Sequence, residues 1–451
     1  MNRVQHSALL STCLMGLGQF YNGAVLKGLL FLLIELALIF NVGQIVTSLE
    51  GPLPPDAPAL SVWDYTNFPN ALATVKGLFT LGEKEQTSDG FDVIQGDHSV
   101  FLLVNGLVLL LVLGVFALLY VVNIRSARRC AQEREKGKPV SVRRMLNDNF
   151  FPLSLTPGFL AILFFTLLPM IVTICVAFTN YRAPDHLPPR NLVQWVGFQN
   201  FSDLFSASIW GETMATVGVW NIIWTVSITF LNFAAGLGLA LLTAHKKIRF
   251  RGLWRVIFIL PYAIPSFISL LVMRVLFNGA GAMNNLLSDW GLDKVPFLTD
   301  SLIAKFVILG VAVWVSAPYF MILCSSAMTN ISADLYEAAD IDGASPWLQF
   351  RQITLPLVLT QLMPAVVLTF SMNFNNFGAI YLLTDGRPDN SSLSYAGDTD
   401  IFISWVYKLT LNNQQFAMAA AITILLFAFV ATICIFYFTR TKSFQEGSAL
   451  S

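Results

Sequence analysis

Residues Ser332–Pro356 read S-A-D-L-Y-E-A-A-D-I-D-G-A-S-P-W-L-Q-F-R-Q-I-T-L-P, and their local signals spell two helices joined by a tight turn. Ser332 is placed to cap the first helix, and Asp334 in its first turn is favoured at the positive helix end. Gly343 can close that helix in the left-handed conformation. Ser345 then caps a second helix that has Pro346 at its first position. At helical spacing Leu335, Ala338, Ala339 and Asp342 share one face. The two alanines let another surface approach closely, while Glu337 offers a fixed negative charge. The pattern predicts a hairpin built to dock.

Outward from the hairpin the chain is strongly apolar. Runs long enough to cross a hydrocarbon core lie at about 28–48, 100–124, 157–180, 219–244, 253–277, 302–328, 355–383 and 416–438. Asn373, Asn375 and Asn376 interrupt the seventh run in its second half. The whole chain of 451 residues agrees, being 55% hydrophobic and only 12% charged, with a mean hydropathy of +0.64. A soluble domain carries about a quarter charged residues, so an all-α polytopic membrane protein with eight transmembrane helices is expected. It divides into an N-terminal region 1–150 with two spans and an outer loop, and a core 151–451 with six.

Lys and Arg counts orient the spans, because cytoplasmic segments retain positive charge. The 125–150 loop holds Arg125, Arg128, Arg129, Arg134, Lys136, Lys138, Arg143 and Arg144, and 245–252 holds Lys246, Lys247, Arg249 and Arg251. Both are expected inside, whereas 49–99, with two lysines against eight acids, and the acid-rich 278–301 and 384–415 face outward. Both termini are then cytoplasmic, in agreement with Arg3 and Lys27 at one end and Arg440 and Lys442 at the other. Span counting also puts 329–354 inside, although Asp334, Glu337, Asp340 and Asp342 there face Arg351 alone. No small-x-small cleavage pattern follows Ala8–Leu17, so Ser7–Phe20 is read as a short interfacial or re-entrant segment turned at Gly16 and Gly18.

Several chemistries lack their residues. Equal numbers of basic and acidic groups, 27 each, remove nucleic acid as a bulk electrostatic partner. There is no G-x-x-x-x-G-K-[ST], H-E-x-x-H or G-x-S-x-G, and Cys13, Cys130, Cys175, Cys324 and Cys434 have no metal or disulfide-framework spacing. Gly279 and Gly281 in N-G-A-G-A follow no strand and read as a turn.

E-A-A-D-I-D-G at Glu337–Gly343, followed by Ile353, Leu355 and Pro356, resembles the EAA signature of permease subunits of bacterial ABC importers. The resemblance implies a coupling helix seated in a cleft of a cytoplasmic ATPase subunit, with Glu337 meeting a basic residue there. Glu337, Ala338, Ala339, Asp342, Gly343, Leu355 and Pro356 form the implied ATPase-coupling set. No cofactor is expected in this chain, since ATP would be bound by partner ATPase subunits. N-F-N-N-F at Asn373–Phe377, L-L-T-D-G-R-P-D at Leu382–Asp389, I-L-P-Y-A-I-P-S-F-I-S at Ile259–Ser269 and A-P-Y-F-M at Ala317–Met321 narrow the likeness. Together they resemble the larger, MalF-like permease subunit of maltose/maltodextrin importers, well over roughly 250–440 and poorly over the first 150 residues. The 181–218 connection is too short for the folded domain that enteric members insert there. The implied partners are a MalG-like second permease, a cytoplasmic ATPase dimer, an extracytoplasmic sugar-binding protein, maltose/maltodextrin and the bacterial cytoplasmic membrane.

The midplane chemistry suits such a cargo. Glu35 lies in the first span, and Arg274 and Lys305 are near span ends where they can snorkel. The centres of the fifth to seventh spans carry no charge. They carry Tyr262, Tyr319, Thr369, Asn373 and Asn376, whose amides, hydroxyls and aromatic faces suit a neutral polyol. Interhelical packing and hydrogen bonding are the plain alternatives for these residues. Tyr262 and Tyr319 are expected at similar depth, facing one cavity, with Pro261, Pro265, Pro318 and Pro364 interrupting the helices. Asn373 and Asn376, three apart, are expected on one helix face and Asn375 on another. By the resemblance, Tyr262, Val315, Ser316, Tyr319, Thr369, Asn373 and Asn376 occupy sugar-contacting positions. Two other classes remain open: an ion-coupled carrier, for which only Glu35 offers a buried titratable site, and a membrane enzyme or scaffold.

Overall fold

The computed structural model describes residues 2–45, 68–85, 87–89, 92–94, 96–137, 150–187, 191–206, 208–245 and 248–440. Lys138, Arg143, Arg144, Lys246, Lys247 and Lys442, which contribute to the orientation above, lie outside these, as does 46–67 of the first outer loop. The fold is helical apart from a short antiparallel pair, β1 (Thr87–Asp89) and β2 (Asp92–Ile94). Among the described residues six helices are long and apolar enough to cross a membrane, or seven with a bent pair. Contacts divide the chain into two units, 1–197 and 198–451.

In the first unit α1 (Arg3–Cys13) and α2 (Leu17–Tyr21) meet at Gly16, whose φ of +90° carries the expected turn. Helix α3 (Val25–Ile45) is the first apolar run, and α4 (Phe68–Thr80) is a helix within the outer loop. The second run is α5 (Ser99–Glu135). The third is α6 (Phe150–Ile162), which passes through a π turn into α7 (Leu168–Ala177). Asn123 of α5 holds the N-terminal helices by accepting from Gly16 N at 3.1 Å and Gln19 Nε2 at 2.9 Å. The Glu35 carboxylate is buried and accepts from Met15 N at 2.6 Å. That amide is a fixed backbone partner for the one titratable group that a carrier reading needs.

The second unit opens with α8 (Gln199–Phe205) and α9 (Ile209–Ala244). The fifth run is not a straight span. Helix α10 (Arg251–Ala263) ends at Ile264, Pro265 starts α11 (Ser266–Leu276), and the two are bent by 89°. After α12 (Ala282–Asp289), which starts behind Gly281, comes α13 (Ser301–Thr329). The hairpin helices α14 (Ala333–Ile341) and α15 (Pro346–Gln349) lead through a π turn, Phe350–Thr354, into α16 (Leu355–Phe374). The seventh run, expected as one helix, stops there and restarts as α17 (Phe377–Thr384). Helices α18 (Phe402–Tyr407) and α19 (Phe416–Arg440) complete the chain.

Pro265 stands at the break between α10 and α11, as expected, but Pro261, Pro318 and Pro364 do not break their helices; α10, α13 and α16 run through them. One missing N–H bond is tolerated where neighbouring helices pack around it. Two cores hold this unit. Trp220, Trp224, Ile228, Leu270, Ile308, Ile380 and Leu383 form one, and Phe233, Leu237, Phe320, Met321, Cys324 and Val358 the other. Helices α9 and α13 cross so closely at Gly236 that a β-carbon there would lie 2.4 Å from Phe320 Cβ.

Candidate functional site

The hairpin forms from the local signals that predict it. Ser332 Oγ accepts from Asp334 N at 3.3 Å, and Ser345 Oγ from Leu348 N at 3.3 Å. Gly343 takes a φ of +74°, where a side chain is strained even though the space around it is open. Asp340 is not free for a partner, because its carboxylate accepts from Gln349 Nε2 and so ties the two short helices together. The Tyr336 hydroxyl lies 2.9 Å from Thr354 Oγ1 at the base of α16.

No residue of α14 is buried. Glu337, Ala338, Asp342 and Gly343 are exposed, as is Pro356 behind them, whereas Ala339 is half-buried and Leu355 packs on the second core. Around Glu337 the hairpin also exposes Leu335, Ile341 and Trp347, with Ile341 at 87%. An apolar surface of this kind beside a carboxylate fits a protein partner better than water. Ile341 and Trp347 were not singled out in the sequence, although their place in a short polar loop was a visible signal.

The candidate sugar residues divide into two groups. Tyr262 lies on α10 just before its break, and its ring meets that of Tyr319 on α13, with centroids 6.1 Å apart. Ser316 is one turn from Tyr319, and Val315 beside it is buried. The hydroxyls of Tyr262, Tyr319 and Ser316 have no hydrogen-bond partner among the described residues. Unpaired hydroxyls within apolar helices favour a polar ligand or water.

Thr369, Asn373 and Asn376 form the second group, and it differs from expectation. Thr369 donates to Ala365 O within its own helix at 2.8 Å. Asn373 is 6% exposed, and its Nδ2 donates to Thr229 Oγ1 on α9 at 3.0 Å. Asn376 stands beyond the break as the cap of α17, its Oδ1 accepting from Ala379 N at 3.2 Å. Asn375, expected on another face, is exposed. A shared helix face for 373 and 376 therefore does not exist, since the helix carrying the first has ended before the second. Among the described residues no hydrogen bond or ring contact joins the tyrosine pair to these asparagines.

Lys305 snorkels over the Trp220 ring at 4.9 Å. No group of three or more His, Cys, Asp or Glu able to hold a metal occurs among the described residues.

Comparison with known proteins matches residues 234–443 to the family described as "Binding-protein-dependent transport system inner membrane component". The galactooligosaccharides transport system permease protein GanP of Bacillus subtilis (strain 168) is 35% identical, over 97% of this chain and 98% of that protein. The maltodextrin transport system permease protein MalC of Streptococcus pneumoniae is 33% identical, over 97% and 96%. MalF of Escherichia coli (strain K12) is 37% identical, over only 54% of this chain and 49% of its own length. Among solved structures, a bacterial ABC transporter importing the acidic polysaccharide alginate shares the fold with a TM-score of 0.54. It is 22% identical, over 67% of this chain and 98% of that one.

Proposed function

This chain belongs to the sugar-permease branch of the binding-protein-dependent transport family, and we propose that it is the subunit through which a neutral oligosaccharide crosses the membrane in an ATP-driven importer. It is a multi-pass membrane protein and a transport subunit. ATP hydrolysis falls to a separate ATPase dimer docked on the hairpin at Glu337, Ala338, Ala339, Asp342 and Gly343. A second permease subunit completes the pathway, and a sugar-binding protein delivers cargo from outside. Both termini then face the cytoplasm.

One observation carries the reading. Helix α16 begins at the docking hairpin and ends, 20 residues later, at the asparagine break. At 1.5 Å per residue that is about 30 Å, so a single helix joins an ATPase surface to mid-membrane amides. When the ATPase dimer closes, the hairpin moves and α16 moves with it, and the sugar contacts beyond Phe374 change their access. Tyr262, Ser316, Tyr319, Thr369 and Asn376 supply donors, acceptors and ring faces with no counter-charge, which suits a neutral sugar, while Asn373 is tied to Thr229 at the break. Galactooligosaccharides and maltodextrins both meet that description.

The test is reconstitution in liposomes with the second permease, the ATPase and the binding protein encoded beside this chain. ATP-dependent uptake of labelled maltotriose or of β-linked galactotriose is expected. Uptake that survives ATP depletion and collapses with a proton ionophore would sink the reading in favour of an ion-coupled carrier.

A further inference from the structure

The break between α16 and α17 is built by a helix some 150 positions earlier in the chain. A helix end leaves backbone carbonyls without intrahelical partners, and inside a membrane each needs one. Trp224 Nε1 of α9 donates to Asn373 O at 3.0 Å, beside the turn bond that this carbonyl accepts from Asn376 N at 3.2 Å, and Asn221 Nδ2 donates to Phe374 O at 3.3 Å. Thr229 Oγ1 accepts from Asn373 Nδ2 at 3.0 Å. All of these are buried: Asn221, Trp224 and Phe374 at 1% exposure or less, Thr229 and Asn373 at 5–6%.

Asn221 has a second attachment. Its Oδ1 accepts from Phe402 N at 2.8 Å where α18 begins, and Trp220 Nε1 donates to Thr399 O at 3.1 Å. One turn-by-turn stripe on α9 (Trp220, Asn221, Trp224, Thr229) therefore fixes both the end of α16 and the loop that follows α17.

We propose that Asn221, Trp224 and Thr229 are positioning residues for sugar transport: they hold the helix break so that Asn376 stands at a fixed place beside the translocated oligosaccharide. None of the three needs to touch sugar. Apolar packing alone would not need an indole N–H and two amides aligned on carbonyl and hydroxyl oxygens. The inference rests on the sugar-permease reading above.

Two variants test it in the assembled complex in liposomes, Thr229→Val, which is nearly isosteric, and Trp224→Phe, which keeps an aromatic ring in a smaller volume, with Thr229→Ser as the conservative control. Each of the first two removes one buried hydrogen bond, and the KM for transported maltotriose or galactotriose is expected to rise about ten-fold. The maximal rate and the yield of extracted complex should change little, and Thr229→Ser should keep the wild-type KM. Hydrogen–deuterium exchange of the peptide covering 370–384 should quicken in both variants. A fall in yield with unchanged KM, or unchanged exchange, overturns the clamp and leaves ordinary packing. Faster exchange in a complex whose wild type takes up no oligosaccharide sinks the sugar reading instead, and with it the stated purpose of the clamp.

Discussion

The Tyr336 hydroxyl stands 2.9 Å from Thr354 Oγ1, fastening the exposed hairpin to the base of the helix that ends at the asparagine break. The segment between them contains a π turn, a local departure found often at functional sites. Tyr336→Phe keeps the ring and removes the bond. One such bond contributes about 0.5–1.5 kcal/mol, so coupling should weaken two- to ten-fold. Sugar transported per ATP hydrolysed is expected to fall, and an unchanged ratio would show that the hairpin moves α16 without this tether.

Glu337→Lys should leave the protein inserted and uncouple it, because the reversed charge would oppose the basic ATPase surface proposed to meet it while the hairpin stays solvent-side. Co-purification with the ATPase and normal transport would remove the docking assignment. Gly343→Val acts through the backbone. The space is open, but a φ of +74° costs a β-branched residue about 1–2 kcal/mol. Transport should drop with little loss of inserted protein.

The hairpin was legible because its signals are local: two serine caps, Pro346 at a first helical position and a left-handed glycine all lie within 25 residues. Apolar length was enough to place the runs as helices. The breaks were legible only in part: Pro265 marks the one between α10 and α11. Prolines at 318 and 364 look like interruptions in sequence and are carried inside continuous helices, while the stop at Phe374 depends on Trp224 and Asn221, which no local window contains. A polar series at helical spacing, Asn221, Thr225 and Thr229, was visible in the 219–244 run and pointed to a buried partner. It did not say which partner, and that is a tertiary fact.

Gly236→Ala should damage assembly more than its size suggests. The added methyl would lie 2.4 Å from Phe320 Cβ and 2.8 Å from Met321 N, so backbone rather than a flexible side chain must give way. Overpacking of this kind costs about 1–3 kcal/mol. The yield of folded protein after detergent extraction checks it, and a wild-type yield would mean that α9 and α13 are free to separate.

Asp400 is buried beyond α17 and is held by Lys408 Nζ at 2.7 Å, Gly397 N at 2.7 Å and Ser404 Oγ at 2.7 Å. Burial pushes its carboxyl above the usual range, and the Lys408 ammonium pulls it back. Lys408→Met removes that pull and should destabilise by about 3–5 kcal/mol, as for other buried pairs that lose one partner. The sign with pH follows. A carboxyl whose native value is raised binds a proton more readily folded than unfolded, so stability falls as pH rises from the unfolded value through the native one. The variant should therefore melt higher at pH 5 than at pH 8, with a larger difference than the wild type shows.

The three asparagines of the seventh run give the sharpest separation of roles. Asn373→Ala removes the donor to Thr229 in a buried site, and an orphaned buried partner costs about 1–3 kcal/mol. As with Thr229→Val, that loss should appear as a higher sugar KM and faster exchange over 370–384, with yield little changed. Asn376→Ala removes the cap on Ala379 N, a cost of about 1 kcal/mol to α17, and also the proposed sugar contact. Its sugar KM should rise by more than its yield falls. Asn375 is exposed, so Asn375→Ala should leave yield intact. Transport kinetics then decide whether Asn375 shares the sugar with Asn376. Measuring yield, KM and exchange over 370–384 for all three separates the cases. If Asn373→Ala raises KM without quickening that exchange, its amide serves the sugar and not Thr229, and the assignment of Asn373 to the clamp is wrong.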